Sequence, residues 1–85
     1  MAYKITIKTV AQKELEKIQK SFRERIINAI GNLAENPRPA GCKKLVNFDS
    51  HYRIRVADYR VIYKISDNEL LIEVVKVANR KDVYR

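Results

Sequence analysis

The strongest constraint on the fold lies in Tyr52-Arg53-Ile54-Arg55-Val56, where apolar and cationic residues alternate strictly. Period two is the mark of a strand with one face in a core, so Arg53 and Arg55 project together from the other face. Ala57-Asp58 reads as a tight turn, and Tyr59-Arg60-Val61-Ile62-Tyr63 as the returning strand that brings Arg60 back near the first pair. Like charges facing one another across strands destabilise a sheet. Three arginines gathered in this way call for an anion, most simply a phosphate backbone. Tyr52, Tyr59 and Tyr63 share their parity with Ile54, Val56, Val61 and Ile65, which places them with the core.

The rest of the chain supplies what such a hairpin packs against. Tyr3–Lys8 alternates and reads as a first strand. Thr9 with Gln12, and Ser21 with Glu24, have the spacing of capping boxes and predict two helices. Ala11, Leu15 and Ile18 form the apolar face of the first helix. Phe22, Ile26, Ile30 and Leu33, widened by Ile27, Ala29 and Ala34, form that of the second. Asn36-Pro37 ends it, because the residue before proline is pushed out of helical geometry. A short strand is expected near 44–46, the hairpin at 52–57 and 60–66, a turn at Asp67-Asn68, and a last strand near 69–78. Leu70–Val75 is apolar on both faces, as a central strand requires. The predicted fold is α+β: a single domain over 1–85, two N-terminal helices packed on one face of a mostly antiparallel twisted sheet of four to five strands. The arginines emerge on the opposite face.

Composition narrows the function. A net charge of +8 over 85 residues indicates a polyanionic partner. No segment combines a basic helical face with a large exposed apolar one, so a membrane surface is not the expected polyanion. The lone Cys42 excludes an internal disulfide and fits a reducing cytoplasm; it reads as a small buried or half-buried residue. The sequence shows no secretory or transmembrane run. One histidine, His51, excludes a paired-histidine nuclease and reads as a surface or turn residue. No cluster has metal-ligand spacing, and Gly31 and Gly41 are too isolated to build a phosphate loop. No metal or cofactor is expected. What remains is arginines with tyrosine, and one reaction suits them. RNA carries its own nucleophile, the 2′-hydroxyl, beside the phosphate to be cleaved. Guanidinium forks match phosphate oxygens, and nearby positive charge favours a phenolate.

Tyr52–Val56, Asp58–Tyr63 and the closing Asn79-Arg80-Lys81-Asp82-Val83-Tyr84 together resemble the RelE toxins of bacterial and archaeal toxin–antitoxin systems, within the RelE/ParE superfamily. The likeness spans essentially the whole chain. It implies a ribosome-dependent endoribonuclease that cuts messenger RNA in the ribosomal A site by metal-independent attack of the 2′-hydroxyl. By that resemblance, Arg60 holds the scissile phosphate, Arg80 stabilises the transition state and serves leaving-group protonation, and Tyr84 activates or orients the 2′-hydroxyl. Arg53 and Arg55 stand where the best-studied type carries lysines, and an arginine cannot act as the base. Lys43, Lys44 and Lys81 read as supporting RNA contacts. The expected partners are the ribosome with its messenger RNA and an acidic antitoxin that wraps the basic surface, in a hetero-oligomer. Two alternatives stand beside this reading: a ParE-like, non-enzymatic inhibitor of DNA gyrase, and a plain RNA-binding module. The second needs aromatics on an exposed sheet face, where the three sheet tyrosines are not expected.

Overall fold

A computed structural model describes residues 2–79. Strand β1 (Lys4–Ile7) leads into helices α1 (Thr9–Glu16) and α2 (Lys20–Asn32). Strands β2 (Lys43–Lys44), β3 (His51–Val56), β4 (Tyr59–Ser66) and β5 (Leu71–Asn79) follow. They form one five-stranded sheet in the order β1-β5-β4-β3-β2. All neighbours run antiparallel except β1 and β5, which are parallel. The parallel pair needs a long crossover, and α1 and α2 are part of it. This insertion makes β5 an internal strand, as its two-sided apolar character requires.

Both helices cover the same face. Ala11 and Leu15 of α1, Ile18 in the bend after it, Ile26 and Ile30 of α2 and Leu33 just past its end are buried against Ile54, Val61, Tyr63, Ile65, Ile72, Val74 and Val77. Ile27, expected to widen the α2 face, is instead 49% exposed. It lies about 100° around the helix from Ile26, outside the stripe that meets the sheet. Phe22 packs on Tyr59 with ring centroids 5.9 Å apart.

The helix starts differ from the capping boxes. The residue preceding α1 is Lys8, whose backbone N–H donates to the Val74 carbonyl across the sheet (2.9 Å) and so is not available to Gln12. Gln12 Nε2 donates instead to the Ile7 carbonyl at 2.8 Å. Helix α2 begins one residue before Ser21, after Gln19, again with no side-chain cap. Its regular part stops at Asn32, and tighter turns carry the chain on to Asn36. The turn at Asp67 is a single 3-10 turn, Asp67–Glu69, closed by Leu70 at φ 51°.

The hairpin has the predicted two-residue loop, with Val56 opposite Tyr59. Ala57 takes φ 53°, the positive value that a two-residue hairpin demands at its first central position. Strand β5 carries one extra residue, Val75, because its register to β4 shifts between Ile62 and Tyr63. Past Val74, β1 has ended, and Glu14 from α1 occupies the vacated edge. Its carboxylate accepts the Val77 backbone N–H and the Lys76 ammonium, each at 2.9 Å.

Candidate phosphate-binding face

The face without helices is set by strand register. Directly opposite residues of an antiparallel pair lie on the same side. Arg55 faces Arg60, Arg53 faces Ile62, and His51 faces Lys64 across β3 and β4. Lys43 of β2 faces Arg53, and Arg60 faces Ala78 on β5. Arg53, Arg55 and Arg60 therefore share one face, as the alternation predicts, and Lys43 and Lys64 extend it, with the Glu73 carboxylate directly opposite Lys64 on β5. Backbone hydrogen bonds show how close its central pair comes. The His51 carbonyl accepts from Leu45 on the β2 side, whereas that of Ser50 accepts from Ile65 on the β4 side. Odd-numbered residues of β3 thus aim their backbone groups at β2. Arg55 and Arg60 form a non-hydrogen-bonded pair, the kind whose side chains approach most closely.

Burial and register add two details. Arg60 is not a solvated arginine: only 6% of it is exposed. It sits on β4, the middle strand, flanked by Arg55 and Ala78, and a central position shields even the polar side of a sheet. Lys44 does not pair with Lys43 on the cationic surface. It faces Tyr52, so it belongs to the helix side of the sheet edge. Arg80, Lys81 and Tyr84 lie outside the described residues; Asn79, the last described, ends β5 opposite Tyr59. Lys64 was missed in the sequence, although the parity Arg60-Ile62-Lys64 carries the signal.

Behind the face, a polar clasp holds the loop after α2 to the sheet. Arg38 Nη2 and Asp67 Oδ2 form an ion pair at 2.9 Å, and the Tyr3 hydroxyl donates to Asp67 Oδ1 at 2.6 Å. Those two hydrogen bonds hold the Asp67 carboxyl below the usual carboxylate range, Arg38's being the larger influence. The Arg38 guanidinium also lies 5.0 Å from the centre of the Tyr52 ring, and its Nε donates to the Tyr52 hydroxyl at 3.2 Å. Tyr63, fully buried, donates its hydroxyl to the Pro37 carbonyl at 2.7 Å. Burial above all pushes that hydroxyl above the ordinary phenol range. The tyrosines of the hairpin are thus structural, as their parity indicates, and neither Tyr52 nor Tyr63 supplies a base to the cationic face.

Chemically, the exposed Arg55 with Arg53 and Lys43 beside it offers the forked and charged donors that suit a phosphate, with the buried Arg60 guanidinium beneath them. Among the described residues no group of three or more His, Cys, Asp or Glu could hold a metal ion. No helix there is long and apolar enough to cross a membrane.

Known proteins share this fold. Residues 5–84 match the sequence model of the family described as the ParE toxin of the type II toxin–antitoxin system parDE. A RelE-like toxin protein of Escherichia coli is 30% identical, covering 99% of this chain and 92% of its own length. The mRNA interferase toxin RelE of Escherichia coli K12 is 28% identical over the same shares of the two chains. Among solved structures, the toxin fold in the archaeal RelE–RelB complex of Pyrococcus horikoshii superposes with a TM-score of 0.84 at 28% identity. That match covers 94% of this chain and 97% of the other.

Proposed function

Since the chain belongs to the ParE toxin family of type II toxin–antitoxin systems, within the RelE/ParE superfamily, we propose that it is the toxin that cleaves messenger RNA on the ribosome. The observation that carries this reading is the close Arg55–Arg60 pair, continued by Arg53 and Lys43, on the face opposite α1 and α2. A relative named an mRNA interferase, aligned over nearly the whole chain, supports the same chemistry.

In this reading Arg60 and Arg80 grip the scissile phosphate. The 2′-oxygen attacks phosphorus, the bond to the 5′-oxygen breaks, and a 2′,3′-cyclic phosphate remains. Charge that builds on the equatorial oxygens is met by the guanidinium donors of Arg60 and Arg80. Tyr84 takes or relays the 2′-hydroxyl proton, and the 5′-oxygen is protonated with Arg80 beside it. Arg53, Arg55, Lys43 and Lys81 hold the flanking phosphates. All of this takes place in the cytoplasm, on the ribosomal A site. A cognate acidic antitoxin silences the toxin by covering Arg53 and Arg55, an arrangement for which the RelE–RelB complex of Pyrococcus horikoshii offers a precedent of partnership.

The test is primer extension on messages under translation, followed by single-turnover cleavage on programmed ribosomes. Arg80→Ala should slow cleavage by about 100- to 1,000-fold, far more than it weakens binding. Tyr84→Phe keeps the ring and removes the hydroxyl; cutting at the wild-type rate would end its proton role. The name of the matching family keeps a second reading in view. Intact messages together with poisoned gyrase would establish that one and remove the nuclease.

A further inference from the structure

The loop between β2 and β3 spends backbone strain to display apolar side chains. Asn47 and Ser50 adopt φ 71° and 60°, a region that residues with a side chain enter at a cost. The loop leaves Val46 80% and Phe48 59% exposed. Phe48 is not adrift: its ring meets the His51 imidazole edge-on, with centroids 5.9 Å apart. His51 is itself anchored, since its Nδ1 lies 2.7 Å from the Asp49 carbonyl, which can only accept. His51 shares parity with Arg53 and Arg55 and faces the exposed Lys64. Phe48 therefore stands at one end of the cationic face. From His51, against which the ring packs, Arg55 lies four residues along β3, about 13 Å in an extended chain, a span of a few nucleotides.

From this juxtaposition we infer that Phe48, buttressed by His51, is a stacking platform for an unpaired base of the RNA whose phosphates Arg53, Arg55 and Lys64 hold. The inference rests on the RNA-cleaving reading above and adds a base contact remote from the reacting phosphate. Single-stranded nucleic acid is bound by this combination, a cationic track for the backbone and an aromatic face for a base. An acidic helix from a protein partner is the other polyanion, but it needs an apolar groove. Val46 and Phe48 line only a shallow open depression formed by the loop itself, with Lys44 and Asp49 on its rim, and an exposed ring suits the flat face of a base.

The probe is a set of single-stranded 2′-O-methyl oligonucleotides, each with 2-aminopurine at one position. The methyl group removes the nucleophile, so the complex with the full chain stays uncut. Wild type should quench one position. Phe48→Ala should abolish that quenching and weaken binding by roughly 5- to 150-fold, while Phe48→Tyr retains both. Phe48→Leu, apolar without a π-face, should behave like alanine. The ring is exposed, so all three variants should melt with the wild type. Unchanged quenching and affinity in Phe48→Ala would overturn the inference, and wild-type cleavage on ribosomes would then leave the nuclease reading standing. Intact quenching with weakened binding of a Glu-rich amphipathic peptide would overturn it too, by assigning the loop to a protein partner. Phe48-dependent quenching by a protein that cuts no message would uphold the platform and remove the nuclease.

Discussion

Replacing Arg55 by glutamine should make the protein more stable and a poorer RNA binder at once. Arg55 faces Arg60 in a non-hydrogen-bonded pair, with Cα atoms about 4.5 Å apart. Two guanidiniums on one face then stand within about 8 Å. Their repulsion is about 0.5 kcal/mol in water and about 2 kcal/mol at an effective dielectric near 20. Arg55 is exposed while Arg60 is buried, so the lower part of that range applies. The sign agrees with the general cost of like charges directly opposite across strands. Arg55→Gln should therefore gain about 0.5 kcal/mol, or roughly 2–4 °C in Tm for a domain of this size. The gain should fade by 1 M salt, where the Debye length falls to about 3 Å. In the same variant, one lost phosphate contact should reduce the log–log salt slope of single-stranded RNA binding by about 0.7. Thermal melts at two salt concentrations and fluorescence anisotropy across a salt series measure both. A variant destabilised at every salt concentration would show that Arg55 is held by attraction, and an unchanged slope would show that it touches no phosphate.

Glu14→Ala should cost about 1–3 kcal/mol by stranding the partly buried Val77 N–H, whereas Glu14→Gln, which keeps an acceptor, should cost less; equal losses in urea melts would refute the edge role. Tyr63→Phe should lose about 1–2 kcal/mol through the orphaned Pro37 carbonyl, read by the same melts. The Asp67 carboxyl is held below its unfolded value by Arg38 and Tyr3, so its contribution is present above the ordinary carboxylate range. It should be lost as pH falls through the lower folded value, and Asp67→Asn should flatten that acid limb of a stability–pH curve.

Much of the design is legible along the chain because it is periodic. Alternation at 52–56 and 59–65 assigns the arginines to one face and the tyrosines to the core before any contact is known, since successive strand residues must point oppositely. The 3.6-residue stripes Ala11-Leu15-Ile18 and Ile26-Ile30-Leu33 mark the helix faces in the same way. The start of α1 was misread because the capping pattern is local, whereas the N–H of Lys8, the residue that precedes the helix, is claimed by Val74, sixty-six positions away.

The sequence by itself therefore determined which strand and helix positions share a face, and that the arginines of β3 and β4 lie together on the one away from the core. Only the tertiary structure decided the insertion of β5 between β1 and β4, the opposition of Arg55 and Arg60, and the depth at which Arg60 sits. It also decided that Lys43 and Lys44 part to opposite faces, and that Glu14 closes the edge vacated beyond the Val75 bulge. Each of these depends on register between segments far apart in the chain. A single-residue slip in register exchanges the faces, and no local pattern in one strand encodes the offset of its neighbour.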